Sequence, residues 1–187
     1  YISQPTEYGT LYSLKELEEL SAACHEHGLK LFVDGARLAY ALTSPANDVS
    51  MADLARLSDV FYIGGTKCGT LFGEAVVIPN GGSIRQFVTQ MKQHGALLAK
   101  GRLLGVQFEA LFEDDLYLTL GAPGVAATTR IREALVRAGC VVTMDSPTNL
   151  TFVALDQAGH ERLSRKVQYG IWETLPDGRL LARFCTS

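Results

Sequence analysis

The run Val33-Asp34-Gly35-Ala36-Arg37 puts an acid at the end of an apolar strand. A second run, Gly64-Gly65-Thr66-Lys67-Cys68-Gly69, puts a lysine on a glycine-rich loop after another strand. An acid and a lysine so placed suit pyridoxal phosphate chemistry. The lysine forms a Schiff base with the cofactor aldehyde, and the acid keeps the pyridine nitrogen protonated so that the ring acts as an electron sink. A carboxylate at the rim of the Leu31-Phe32-Val33 wall is costly when unpaired, and a pyridinium partner removes that cost. Each residue also has a plainer use. Asp34 could cap a helix, Lys67 could be a solvated loop lysine, and Arg37 could pair with Asp34. The glycine loop lacks Walker spacing, which argues against a nucleotide site.

The elements that must position these residues alternate. Ser13-Leu14-Lys15-Glu16 matches a capping box and predicts a helix to about His27, with Leu17, Leu20 and Cys24 on one face and Gly28 as its stop. Leu29 to Val33 reads as a strand, Ser50 and Asp53 open a helix through Leu57, and Val60 to Ile63 and Ala75 to Ile78 read as further strands. Nearly continuous apolar strands separated by helices imply a parallel sheet covered on both faces. A parallel crossover needs about a dozen residues or more with a helix, so the short glycine-rich link 64–74 predicts an antiparallel last pair. Asp34 and the Lys67 loop then share the carboxyl edge of the strands, where open α/β sheets bind ligands.

Ser83 to about Phe112 reads as long and mostly helical. Gly121-Ala122-Pro123-Gly124 is the candidate boundary and should interrupt a helix. Beyond it, a helix from Thr128 to Ala138, strands at Val141 to Met144 and Leu150 to Leu155, a helix from His160 to Tyr169, and strands near Trp172 and Leu180 to Phe184 form a small α+β unit. The expected organisation is α/β over residues 1–120 with a small α+β domain over 121–187.

Composition narrows the function. The chain has 187 residues, is 47% apolar and 20% charged, and carries a net charge of -3 without a basic run. That disfavours nucleic acid as a partner, and the apolar runs are too short to cross a bilayer. Cys24, Cys68, Cys140 and Cys185 have neither metal nor disulfide spacing, so the reading is reduced thiols in a cytoplasmic protein with no metal site.

Six stretches in order along the chain resemble the threonine aldolase family: Tyr1 to Ser13, Asp34-Gly35-Ala36-Arg37-Leu38, Gly64-Gly65-Thr66-Lys67, Phe72-Gly73-Glu74-Ala75, Met91 to Gly101, and Arg183-Phe184-Cys185-Thr186-Ser187. The resemblance implies the aspartate-aminotransferase fold type of pyridoxal phosphate enzymes, here the C-terminal part of its large domain and a small domain incomplete at its C-terminus. It also implies a fragment: family members carry an N-terminal segment that supplies the phosphate cup and a ring-stacking residue, usually histidine.

On that resemblance Lys67 is the Schiff-base lysine and Asp34 the pyridine partner. Arg37 and Arg183 hold the substrate carboxylate as planar two-donor forks. Thr66 points a hydroxyl at the phosphate or ring oxygen, and Gln4 lines the cofactor site with Thr6 and Glu7, unless those three only make the turn before Gly9. Lys92 reaches a neighbouring subunit's cofactor phosphate, unless it is a helix-surface lysine. The implied activity is cleavage of the Cα–Cβ bond of a β-hydroxy amino acid, threonine or allo-threonine to glycine and acetaldehyde, in a homodimer or homotetramer with shared active sites. Two rivals stay open: a pyridoxal phosphate lyase that eliminates at the β-carbon of another amino acid, and an inactive truncated homologue serving as an interaction module.

Overall fold

The computed structural model describes residues 1–187. The capping box forms as expected: the Ser13 hydroxyl accepts the Glu16 N–H, and the Glu16 carboxylate accepts the Ser13 N–H, at the start of α1 (Leu14–Glu26). The same arrangement between Ser50 and Asp53 opens α3 (Met51–Leu57). Each box satisfies donors that a helix start leaves orphaned.

Strands β1 (Ile2–Ser3), β2 (Phe32–Asp34), β3 (Val60–Gly64) and β4 (Glu74–Val77) form one sheet in that order. The first three run parallel and β4 runs antiparallel to β3, as the short link requires. Val33, Phe61 and Ile63 enter a core completed by Leu17 of α1, Leu54 of α3 and the short helix α2 (Leu38–Leu42), four of whose five residues are buried.

Residues 83–112 are mostly helical, and glycines punctuate the run. They fold as two helices, α4 (Phe87–Gln93) and α5 (Arg102–Phe112). Gly95 takes a left-handed φ of 70° after the first and ends it. A short α6 (Tyr117–Leu120) follows.

The expectation for Pro123 is corrected. Helix α7 (Ala122–Arg137) runs straight through Pro123 and Gly124, because the proline lies within the first two positions, where its missing N–H has no intrahelical partner to lose. The helix begins at the expected boundary but belongs to both units: Val125 packs in the first core and Leu135 in the second.

The second sheet has the order β5 (Val141–Val142), β6 (Leu150–Leu155), β8 (Leu180–Cys185), β7 (Gly170–Thr174), all antiparallel. Helix α8 (Gln157–Ser164) starts earlier than expected, because Asp156 caps it by accepting the Gly159 N–H. No disulfide joins the four cysteines, and no helix is long and apolar enough to cross a membrane.

Candidate active site

Asp34 ends β2 opposite Ser3 of β1. Its carboxylate accepts the Ala36 N–H at 2.9 Å and the hydroxyl of Tyr1. Burial would raise its pKa, but the hydroxyls of Tyr1 and Tyr62, the Ala36 N–H and the charge of Lys67 together hold it below the ordinary range. Asp34 therefore stays anionic. Tyr1 stacks on Phe32, whose ring meets Tyr62, so the acid sits beside an aromatic face.

The Lys67 loop lies against the same edge. The Gly64 N–H donates to the Gly35 carbonyl at 2.9 Å, which stitches the turn after Asp34 to the strand end before Lys67. Approach is so close that a Cβ on Gly35 would collide with the Tyr62 carbonyl, and one on Gly64 with Ala36. The glycines thus serve the contact between the two turns. Inside the loop, Cys68 and Thr70 donate their N–H groups to the Gly65 carbonyl, and the Gly65 N–H donates to the Glu74 carboxylate at 2.6 Å. The Lys67 side chain is exposed and makes no ion pair.

Arg37 precedes α2 and its side chain is 12% exposed. Its partner is Glu7, at 3.5 Å, and not Asp34. Arg183 lies on β8 opposite Phe152, with its guanidinium 4.9 Å from the centre of the Trp172 ring. Trp172 sits at a bulge in β7, where Ile171 and Glu173 face consecutive residues of β8. A bulge re-aims a side chain, and this one turns the indole toward Arg183, Phe152 and Tyr8. The Trp172 N–H donates to the Tyr8 hydroxyl at 3.3 Å. Adjacent residues Glu7 and Tyr8 thereby touch Arg37 and the platform of Arg183. The loop is seated on the second unit because its Gly9 carbonyl accepts the hydroxyls of Ser146 and Thr148.

Gln4 and Thr66 make hydrogen bonds within the chain. Gln4 is 1% exposed, and its amide clamps the backbone of Tyr12 in both directions, at 2.9 and 3.0 Å. With both ends bonded to one backbone residue, it shapes the loop. Thr66 hydroxyl bonds run to Gly73, accepting its N–H at 3.1 Å. Lys92 is exposed on α4. Thr6 closes the turn before Gly9 with Thr10. Sequence reasoning missed Tyr40, Tyr117, Glu74, Tyr8 and Trp172. Tyr40, one helical turn after Arg37, was within reach of it; Tyr117 meets Gly64 across 53 residues and left no local signal.

The chain matches the model of the beta-eliminating lyase family over residues 1–168. It belongs to that family. Over 121 residues it is 38% identical to the low specificity L-threonine aldolase of Pseudomonas aeruginosa, a match that covers 63% of this chain and 34% of that protein. The enzyme of the same name from Pseudomonas sp. matches to the same extent. The solved threonine aldolase of Leishmania major superposes on the whole chain with a TM-score of 0.95 at 46% identity, and the chain covers 55% of it. A PLP-bound structure from Clostridium difficile 630, 14% identical with a TM-score of 0.71, shares the fold over 99% of this chain and 52% of its own. The chain thus spans about a third of the length of the curated relatives and about half of the solved ones.

The residues fit a pyridoxal phosphate. Asp34 is held as an anion at the rim of an aromatic face, Lys67 extends unpaired from a fixed loop on the same edge, and Arg37 is a nearly buried cation whose sole carboxylate partner is 58% exposed.

Proposed function

We propose that the protein is a pyridoxal phosphate-dependent lyase that cleaves the Cα–Cβ bond of β-hydroxy amino acids, releasing glycine and an aldehyde, with threonine or allo-threonine as substrate. One observation carries the reading: the turns bearing Asp34 and Lys67 are stitched together by the bond from the Gly64 N–H to the Gly35 carbonyl. Pyridoxal phosphate, when bound, supplies a sink for the electron pair released from the Cα–Cβ bond.

The chain supplies the rest. Lys67 Nζ would be the amine that holds the cofactor at its aldehyde carbon. The Asp34 carboxylate keeps a proton at the pyridine nitrogen. Arg37 and Arg183 would take the substrate carboxylate and so fix rotation about its N–Cα bond. Glu7 must yield Arg37 to that carboxylate, and its exposure and long contact make the exchange cheap. Trp172 holds the Arg183 guanidinium over its ring, 4.9 Å from the centre.

The names of the Pseudomonas and Leishmania relatives support the aldol cleavage over elimination. Products separate the two. The whole protein incubated with threonine should yield glycine and acetaldehyde; a 2-oxo acid and ammonia would instead mark a β-eliminating enzyme, and no product at all an inactive homologue. We also propose that the protein works in the cytoplasm as a homodimer or homotetramer, with Lys92 directed to a neighbour's cofactor phosphate.

A further inference from the structure

The backbone of the Lys67 loop is held from below by two buried tyrosines. The Tyr40 hydroxyl donates to the Lys67 carbonyl at 2.8 Å, and the Tyr117 hydroxyl donates to the Gly64 carbonyl at 2.8 Å. Tyr117 is fully buried and Tyr40 is 4% exposed. Between them the Cys68 thiol is buried and faces the Ala36 carbonyl at 3.7 Å. The lysine therefore has a rigid base and a free arm. Neither phenol can reach solvent, so each spends its hydroxyl on a loop carbonyl.

Tyr40 has a second connection. It lies three residues after Arg37, on the five-residue helix α2, whose other face is packed in the core. One small, buried helix thus carries the hydroxyl that holds the lysine backbone, and the residue that caps its start supplies the guanidinium proposed for the substrate carboxylate. The helix is itself fixed, because Gly121 packs against the Ala39 carbonyl, where a Cβ would not fit. Such an arrangement sets the separation between the carboxylate site and the lysine amine, and catalysis is sensitive to small errors in that separation.

We infer that Tyr40 is a positioning residue for Lys67, its hydroxyl fixing the carbonyl of the lysine whose amine receives the cofactor. The inference rests on the reading of Lys67 given above. Burial pushes the Tyr40 phenol up to about 12, so it remains a donor throughout the working range.

The test uses the whole protein freed of cofactor, as wild type and as Tyr40→Phe, which keeps the ring in the core and removes one hydroxyl. Pyridoxal phosphate is titrated by absorbance, the product is fixed with borohydride and mapped, and kcat and KM are measured after reloading. Both proteins should carry the label on Lys67. The variant should bind pyridoxal phosphate about tenfold more weakly, the effect of one lost buried hydrogen bond, and kcat should fall while KM stays within about twofold. A purely structural hydroxyl would lower the melting temperature and leave affinity and kcat unchanged. That result, with label on Lys67, overturns the inference alone. Label on another lysine in the wild type overturns the reading of Lys67 and the inference with it. If the variant does not fold, hydrogen exchange of the cofactor-free wild type decides. The Tyr40 hydroxyl proton is followed by NMR: a slowly exchanging hydroxyl resonance supports the clamp, and a hydroxyl that exchanges as fast as a free tyrosine's overturns it.

Discussion

Asp34 shows how a single residue can be read from two directions. Its place after Leu31-Phe32-Val33 was legible in the sequence, and so was the expectation that an acid there needs a cation. Burial would raise its pKa, and the structure adds the hydroxyls of Tyr1 and Tyr62, the Ala36 N–H and the charge of Lys67, which keep it anionic. Asp34→Asn should preserve the fold and lower kcat by a factor on the order of 10², the typical cost of one preorganised electrostatic partner. Circular dichroism and steady-state kinetics check this together, and near-normal turnover would leave Asp34 as a structural residue. The positions of Arg37 after β2, Lys67 on its loop and Arg183 on β8 were equally legible, because the strand and loop pattern is local. The role of Gln4 was not. An amide can serve a ligand or a backbone with the same two groups, and only the fold reveals that Tyr12 has taken both. The tyrosines under the lysine loop were hidden for a similar reason: a buried Tyr reads as core until its hydroxyl's partner is known.

At the scale of elements, local chemistry was readable wherever the signal was local. Both capping boxes, the antiparallel β4 and strand β6 follow from short-range rules. Removing the Ser13 hydroxyl should cost about 1 kcal/mol of stability, measurable as a shift in a denaturant midpoint for Ser13→Ala. Position within an element was harder. Pro123 breaks a helix interior but suits a first turn, and the sequence does not mark which turn it occupies. The start of β2 gives a pH signature. Asp59 accepts Lys30 Nζ at 2.8 Å, the Leu31 N–H at 2.9 Å and His25 at 3.1 Å. Burial pushes its carboxyl up, yet the Lys30 pair and the other two bonds hold it at about 2. A carboxyl depressed on folding contributes stability that is present above its ordinary value near 4 and lost as pH falls through about 2. Asp59→Asn should therefore flatten the stability profile across that acidic interval, as read by denaturation at successive pH values. An unchanged slope would contradict the assignment.

On the scale of the molecule, one surface stands out. Val88, Leu97, Leu98, Leu103 and Val106 of the α4–α5 region are each half exposed or more. The sequence already showed more apolar residues there than one stripe requires, and the small domain of the same chain does not cover them. Apolar side chains grouped in this way mark a surface made for contact. We expect light scattering to give the whole protein a mass of at least two copies, and an active monomer at high dilution would contradict shared active sites. The central claim is narrower than assembly: two turns at one sheet edge, one bearing Asp34 and the other Lys67, form the seat of the cofactor. The most direct measurement is borohydride reduction of the whole protein loaded with pyridoxal phosphate, followed by peptide mapping. The expected result is a single modified peptide carrying the cofactor on Lys67; a label on Lys92 or Lys100 instead would contradict the account.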